Sequence, residues 1–132
     1  MRECLTINIR LGDIHCVESE KKKVVMILFD GDADCENFKG RVLSGGVDTQ
    51  HVDEQDTCNL SARYMLEGTD CDGNACKIFI ENNGTSVPGE AVMKTVPKIF
   101  TDSPALKWME EAELAGEVWP VDGGVTIRIF VK

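Results

Sequence analysis

The strongest regularity along the chain is a period-two alternation of apolar and polar residues. Leu5, Ile7, Ile9 and Leu11 alternate with Thr6, Asn8 and Arg10. Cys58, Leu60, Ala62, Tyr64 and Leu66 alternate with Asn59, Ser61, Arg63 and Met65, and Val125, Ile127, Ile129 and Val131 alternate with Thr126, Arg128 and Phe130. Successive side chains of a strand point to opposite faces, so each segment predicts a strand with one buried and one wetter face. The run Val24-Val25-Met26-Ile27-Leu28-Phe29 is apolar at every position. It predicts a strand covered on both sides. Few helical segments are available to supply the second cover, so a subunit interface is expected there.

Turn signals separate these segments: Asp30-Gly31, Gly45-Gly46, Asp72-Gly73, Asn83-Gly84, Pro88-Gly89 and Asp122-Gly123-Gly124. Asp72-Gly73 predicts a hairpin between the strand ending near Leu66 and the one through Ile78 and Ile80, and Asp122-Gly123 predicts another before the last strand. The one helical candidate lies around Ser103 to Leu114, with Ser103 able to cap and Pro104 at the first helical position. Leu106 and Trp108 also fit alternation, so strand plus loop is the alternative. About eight strands and at most one short helix describe an all-β protein, and closure removes exposed edges that few helices could cover. The predicted fold is a closed antiparallel up-and-down β-barrel formed by residues 1–132 as a single domain.

Composition narrows the function classes. With 23 acidic against 14 basic residues the chain carries a net charge of −9. Such a field repels phosphate backbones, and the one basic run, Lys21-Lys22-Lys23, reads as a solvated turn, so no nucleic-acid partner is expected. Met1-Arg2-Glu3-Cys4 leads directly into alternation without the apolar core of a secretory signal, and no stretch approaches a membrane span. A cytoplasmic protein without a membrane partner is the expectation. Six cysteines, Cys4, Cys16, Cys35, Cys58, Cys71 and Cys76, lack the close pairing of zinc ligands. They read as reduced, mostly buried thiols, and neither metal nor cofactor is expected.

Candidate chemistry follows from strand parity. Tyr64 shares the inward register of Leu60, Ala62 and Leu66, and Asn82 shares that of Ile78 and Ile80. Buried polar groups of this kind need partners, which can be protein, water or ligand. Arg63 points outward by parity unless a bulge reverses it. In Gly40-Arg41-Val42-Leu43-Ser44-Gly45-Gly46-Val47-Asp48 the glycine pair permits a bulge or close approach that aims Asp48 across the bend. Asp48 there suits a general base, a ligand acceptor or a turn cap. His15 and His51 stand alone, and no nucleophile elbow is present.

The segment from Gly40 to Asp48 resembles the Gly-x-Val-Leu-x-Gly-Gly-x-Asp pattern of the domain of unknown function 3237 family. Three further blocks agree in order: Ala62-Arg63-Tyr64-Met65-Leu66 with Asp72-Gly73, Ile78-Phe79-Ile80-Glu81-Asn82-Asn83-Gly84, and Thr95-Val96-Pro97-Lys98-Ile99-Phe100 with Trp108. Thr49 stands where the family usually has Trp, Ala33 where it has Phe, and Lys94 where it has Arg. The resemblance implies an antiparallel β-barrel, often a homodimer, and no defined activity. Together with parity it yields a ligand-binding set of Asp48, Tyr64, Asn82, Thr95, Phe100 and Trp108, with Arg63 at the rim or interface. The expected function is binding of a small organic molecule inside the barrel. The alternatives are a cofactor-independent isomerase, cyclase or lyase with Asp48 or Tyr64 moving a proton, and a non-catalytic homo-oligomeric interaction module.

Overall fold

A computed structural model describes residues 1–132. It contains nine strands: β1 (Arg2–Glu18), β2 (Lys23–Asp34), β3 (Phe38–Val42), β4 (Val47–Val52), β5 (Cys58–Asp70), β6 (Ala75–Ser86), β7 (Met93–Thr101), β8 (Leu114–Val121) and β9 (Gly124–Val131). A 3₁₀ helix, Pro104–Glu110, lies between β7 and β8. Every pairing is antiparallel, and apart from β3 and β4 each strand lies beside its neighbour in sequence. The ring closes where β1 pairs with both β2 and β9. The predicted up-and-down barrel is therefore the fold.

β3 and β4 share one place in the ring, because each lies between β2 and β5. They are two halves of one interrupted strand. Asp32 faces Arg41, so an unbroken ladder would set Ile27 opposite Gly46, yet Ile27 faces Asp48. The break thus inserts two residues, and a two-residue insertion preserves side-chain parity. The barrel has eight places although nine strands are present.

The alternating segments form its interior. Ile7, Leu66, Ile78, Ile80 and Ile129 are essentially inaccessible to solvent. Parity fails in β1 beyond Ile9. A register irregularity falls between Leu11 and Ile14, and β9 begins opposite Arg10, so the rest of β1 pairs only with β2. Leu11 is consequently exposed at the rim. In the apolar run of β2, Phe29 is buried and Ile27 turns inward, while Met26 lies exposed on the outer face.

The helical alternative holds for Ser103 to Glu110. Ser103 Oγ accepts the Leu106 amide at 3.2 Å, and Pro104 occupies the first turn. Leu106 and Met109 are driven into the barrel, so this helix plugs one end. Leu114, placed by sequence at the helix end, starts β8 instead. Lys21 and Lys22 lie exposed by the β1–β2 turn, where Ser19 N donates to Lys22 O at 2.8 Å. Of the cysteines only Cys4 and Cys76 are buried, Cys35 and Cys58 are half-buried, and Cys16 and Cys71 are exposed. Apolar character thus overstated their burial, because Cys16 falls on the part of β1 that pairs only with β2 and Cys71 in the β5–β6 turn.

Candidate functional site

The end opposite the helix holds a cavity of about 300 Å³. Ile9, Ile27, Phe29, Leu60, Val118 and Ile127 form much of its wall, and Val87, Glu90 and Ala91 of the β6–β7 loop border it. Asp48, Gln50, Asn82, Ser86 and Glu90 supply its polar side chains. The two charged groups are both acidic.

The strand break positions Asp48. Gly45 has φ 105°, in the left-handed region that favours glycine. A Cβ on Gly46 would come within 3.1 Å of Phe29 Cε1 and 3.2 Å of Tyr64 Cβ, so glycine lets the chain pass close to both side chains. The Phe29 amide then donates to Gly46 O at 3.0 Å and the ladder restarts. Asp48 emerges directed inward, with Ala62 beside it and Asn82 beside Ala62 in one cross-strand row. Two strand spacings, about 10 Å, separate the two backbones.

Gln50 Nε2 donates to Asp48 Oδ2 at 2.8 Å, while Asp48 Oδ1 is buried without a partner. Burial pushes the carboxyl above the ordinary aspartate range, and the Gln50 hydrogen bond opposes this more weakly. Asn82 is 1% exposed, and neither its Oδ1 nor its Nδ2 has a partner in the protein. Thr95 Oγ1, on β7, is likewise buried and unpaired. Gly116 provides room for both: a Cβ there would stand 2.2 Å from Thr95 Oγ1 and 3.4 Å from Asn82 Oδ1.

Tyr64 is buried, as parity predicts, but it does not form part of the cavity wall. Its ring meets Phe29 edge-on with centroids 5.2 Å apart, and Phe29 stands on the wall. Complete burial pushes the phenol far above its ordinary pKa, which makes phenolate chemistry unfavourable. Arg63 points outward and pairs with Glu81 at 3.2 Å. Phe100 and Trp108 do not reach the cavity. Phe100 has outward parity on β7 and is 64% exposed, with Lys107 Nζ 5.8 Å from its ring centroid. Trp108 lies on the helix at the opposite end, beneath the Arg2 guanidinium. The structure therefore brings Asp48 and Asn82 to the cavity, keeps Thr95 buried near Asn82 but off the cavity wall, sets Tyr64 behind Phe29, and separates Arg63, Phe100 and Trp108 from them. Gln50 was missed, although its i+2 spacing from Asp48 gives it the same parity. Glu90 lies in a loop, where no periodicity could reveal it.

The family model described as "Protein of unknown function (DUF3237)" matches residues 1–97. The chain belongs to this family. The match includes the Gly-Gly-Val-Asp, Ala-Arg-Tyr and Asn82 blocks, whereas Phe100 and Trp108 lie beyond it. A UPF0311 protein of Clostridium acetobutylicum is 34% identical over 104 residues, covering 67% of this chain and 63% of that relative. The chain therefore spans less than two-thirds of that relative's length. A crystal structure of a protein of unknown function from C. acetobutylicum superposes with a TM-score of 0.83 at 27% identity, covering 97% of this chain and 93% of the other. A structure described as an enzyme from Penicillium herquei superposes at 0.70 with 15% identity, covering 97% and 90%, a likeness of fold. No helix is long and apolar enough to cross a membrane.

Proposed function

We propose that this DUF3237 protein binds a small, uncharged, mainly apolar molecule carrying a hydroxyl or carbonyl group in the barrel cavity. The observation behind this reading is the pair of side chains Asp48 and Asn82, which carry unpaired buried polar atoms in the wall of a mainly apolar cavity. An unsatisfied buried polar atom costs about 1–3 kcal/mol, so a ligand that pairs with it recovers a real stabilisation. Asn82 offers a donor and an acceptor, and Asp48 Oδ1 offers an acceptor when ionised or a donor when protonated. Asp48 and Glu90 are the ionisable lining groups and no basic residue is among the lining, so carboxylates and phosphates find no cation. The volume lies at the small end of ligand pockets and suits a compact ring rather than a nucleotide cofactor.

Thermal unfolding with matched probes tests this. Phenol, 1-naphthol and cyclohexanone are expected to raise the melting temperature, as binding to the native state requires, while benzoate and phenyl phosphate leave it unchanged. Asn82→Leu should remove the shift. Equal shifts from neutral and anionic probes, or none from either, would overturn the reading.

The free Asp48 Oδ1 and the raised carboxyl pKa support a second reading, a cofactor-independent isomerase, cyclase or lyase on the same cavity. Asp48 would then move a proton next to a ligand carbonyl. Exchange of the α-hydrogens of cyclohexanone in D₂O, followed by NMR, should be accelerated by the protein and abolished by Asp48→Asn. No acceleration despite binding would leave the binding reading alone.

A further inference from the structure

The outer face of β5, β6 and β7 carries three cross-strand rows with an unusual charge relation. The middle row, Met65–Phe79–Phe100, is apolar, and Met65 and Phe100 are exposed. Two residues to one side along the strands lies Arg63–Glu81–Lys98, with signs plus, minus, plus. Two residues to the other side lies Glu67–Lys77, continued by Asp102, whose Oδ1 accepts the Lys77 amide at 2.8 Å. These signs are minus, plus, minus. Row by row, one flank is the opposite of the other.

We propose that this face is a two-fold self-association surface whose axis runs along Met65–Phe79–Phe100. A two-fold interface is isologous, and this axis exchanges the two flanks. Arg63 then lies over Glu67 of the partner subunit, Glu81 over Lys77 of the partner subunit, and Lys98 over Asp102 of the partner subunit. All three contacts join opposite charges, and the apolar row packs on its own copy at the centre. An apolar centre within a charged rim is how protein interfaces are built. Face-to-face sheets keep their strands within about 30° of alignment, which this axis permits because it runs across them.

Two further observations favour a second copy as occupant. Lys77 and Lys98 enter no ion pair within the chain, whereas the exposed Arg63 pairs with Glu81 and the exposed Glu67 with Arg41. Each molecule also carries a net charge of −9, so association requires local compensation of this kind. The outer face of β2, where the doubly apolar run places an interface, presents Met26 without such a pattern. The proposed surface uses outward parity on β5, β6 and β7, whereas the cavity uses inward parity, so the two are physically separate.

Sedimentation equilibrium of the full chain over a micromolar concentration series tests the proposal. Wild type is expected to dimerise, and Phe100→Ser to remain monomeric. Arg63→Glu and Glu67→Arg should each weaken association about tenfold or more by opposing like charges, and the two combined in one chain should restore it. Glu81→Lys with Lys77→Glu offers a second swap if either Arg63 or Glu67 variant fails to fold, as judged by circular dichroism. Met26→Ser should leave the dimer intact. A monomeric wild type, unrescued swaps, or a dimer dissolved by Met26→Ser but not by Phe100→Ser would overturn the proposal.

Discussion

Burying a hydroxyl without a hydrogen-bond partner costs about 1–3 kcal/mol, and Tyr64 holds its OH in that condition at the centre of the barrel. Asn82 and Asp48 are unpaired in the wall of a cavity that a ligand can fill, whereas Tyr64 lies behind the Phe29 ring. Its hydroxyl is therefore expected to be a burden on the fold rather than a ligand contact. Tyr64→Phe should raise the stability of the ligand-free protein by about 1 kcal/mol or more, because it removes the polar atom and keeps the ring. Urea denaturation with an unchanged m-value would record it, and a loss of stability would show that the hydroxyl is paired. Residue-scale reading from sequence succeeded where parity alone decides direction, as for the inward Tyr64 and Asn82 and the outward Arg63. It failed for Phe100, where outward parity was available but resemblance to a motif was given more weight. For Trp108 parity had no meaning, because the residue is on a helix.

At the scale of elements, the closed end depends on one carboxylate. Asp70 Oδ1 accepts the amides of Asp72 and Asn74 at 2.9 and 3.0 Å, and its Oδ2 accepts Ser103 Oγ at 2.7 Å. Ser103 Oγ in turn accepts the Leu106 amide, so the β5–β6 turn and the helical plug share a single node. The Ser103 hydrogen bond, followed by the Asn74 amide, holds the Asp70 carboxyl below the ordinary aspartate range. A depressed folded-state pKa means the unfolded chain binds more protons, so stability from Asp70 is present above the ordinary range and is lost as pH falls through the folded value. Ser103→Ala removes the cap and the principal cause of that depression. It is expected to destabilise the protein by about 1–2 kcal/mol at neutral pH, with the gap from wild type narrowing below the ordinary aspartate range. Melting temperatures measured from pH 7 down to pH 3 would check this, and a gap independent of pH would contradict it. Ser103 and Pro104 were legible as a helix start, and Asp72-Gly73 as a hairpin. The link between them was not, since it joins residues 33 apart that meet only once the barrel closes. The split of one strand into β3 and β4 was equally hidden. Gly45-Gly46 signalled a bulge, but the two-residue shift appears only against the register of β2 and β5.

Over the whole molecule, electrostatics oppose the compact state. Nine acidic charges stand in excess, the difference between 23 and 14. Ion pairs such as Arg10 with Asp30 and Arg41 with Glu67 lie in solvent, where each contributes little. Folding confines these charges to one small surface, and the unfolded chain spreads them apart, so self-repulsion lowers stability. Screening should relieve the repulsion more than it weakens the few close pairs, because it acts on charges separated by more than a Debye length, about 10 Å at 0.1 M salt. The Phe100→Ser variant, which keeps the fold monomeric in the proposed scheme, separates this effect from association. Its melting temperature at pH 7 is expected to rise by a few degrees when sodium chloride increases from about 10 to about 150 mM. Differential scanning calorimetry would detect the change. A fall instead would mean that the surface pairs, and not the excess of acids, dominate the electrostatic balance.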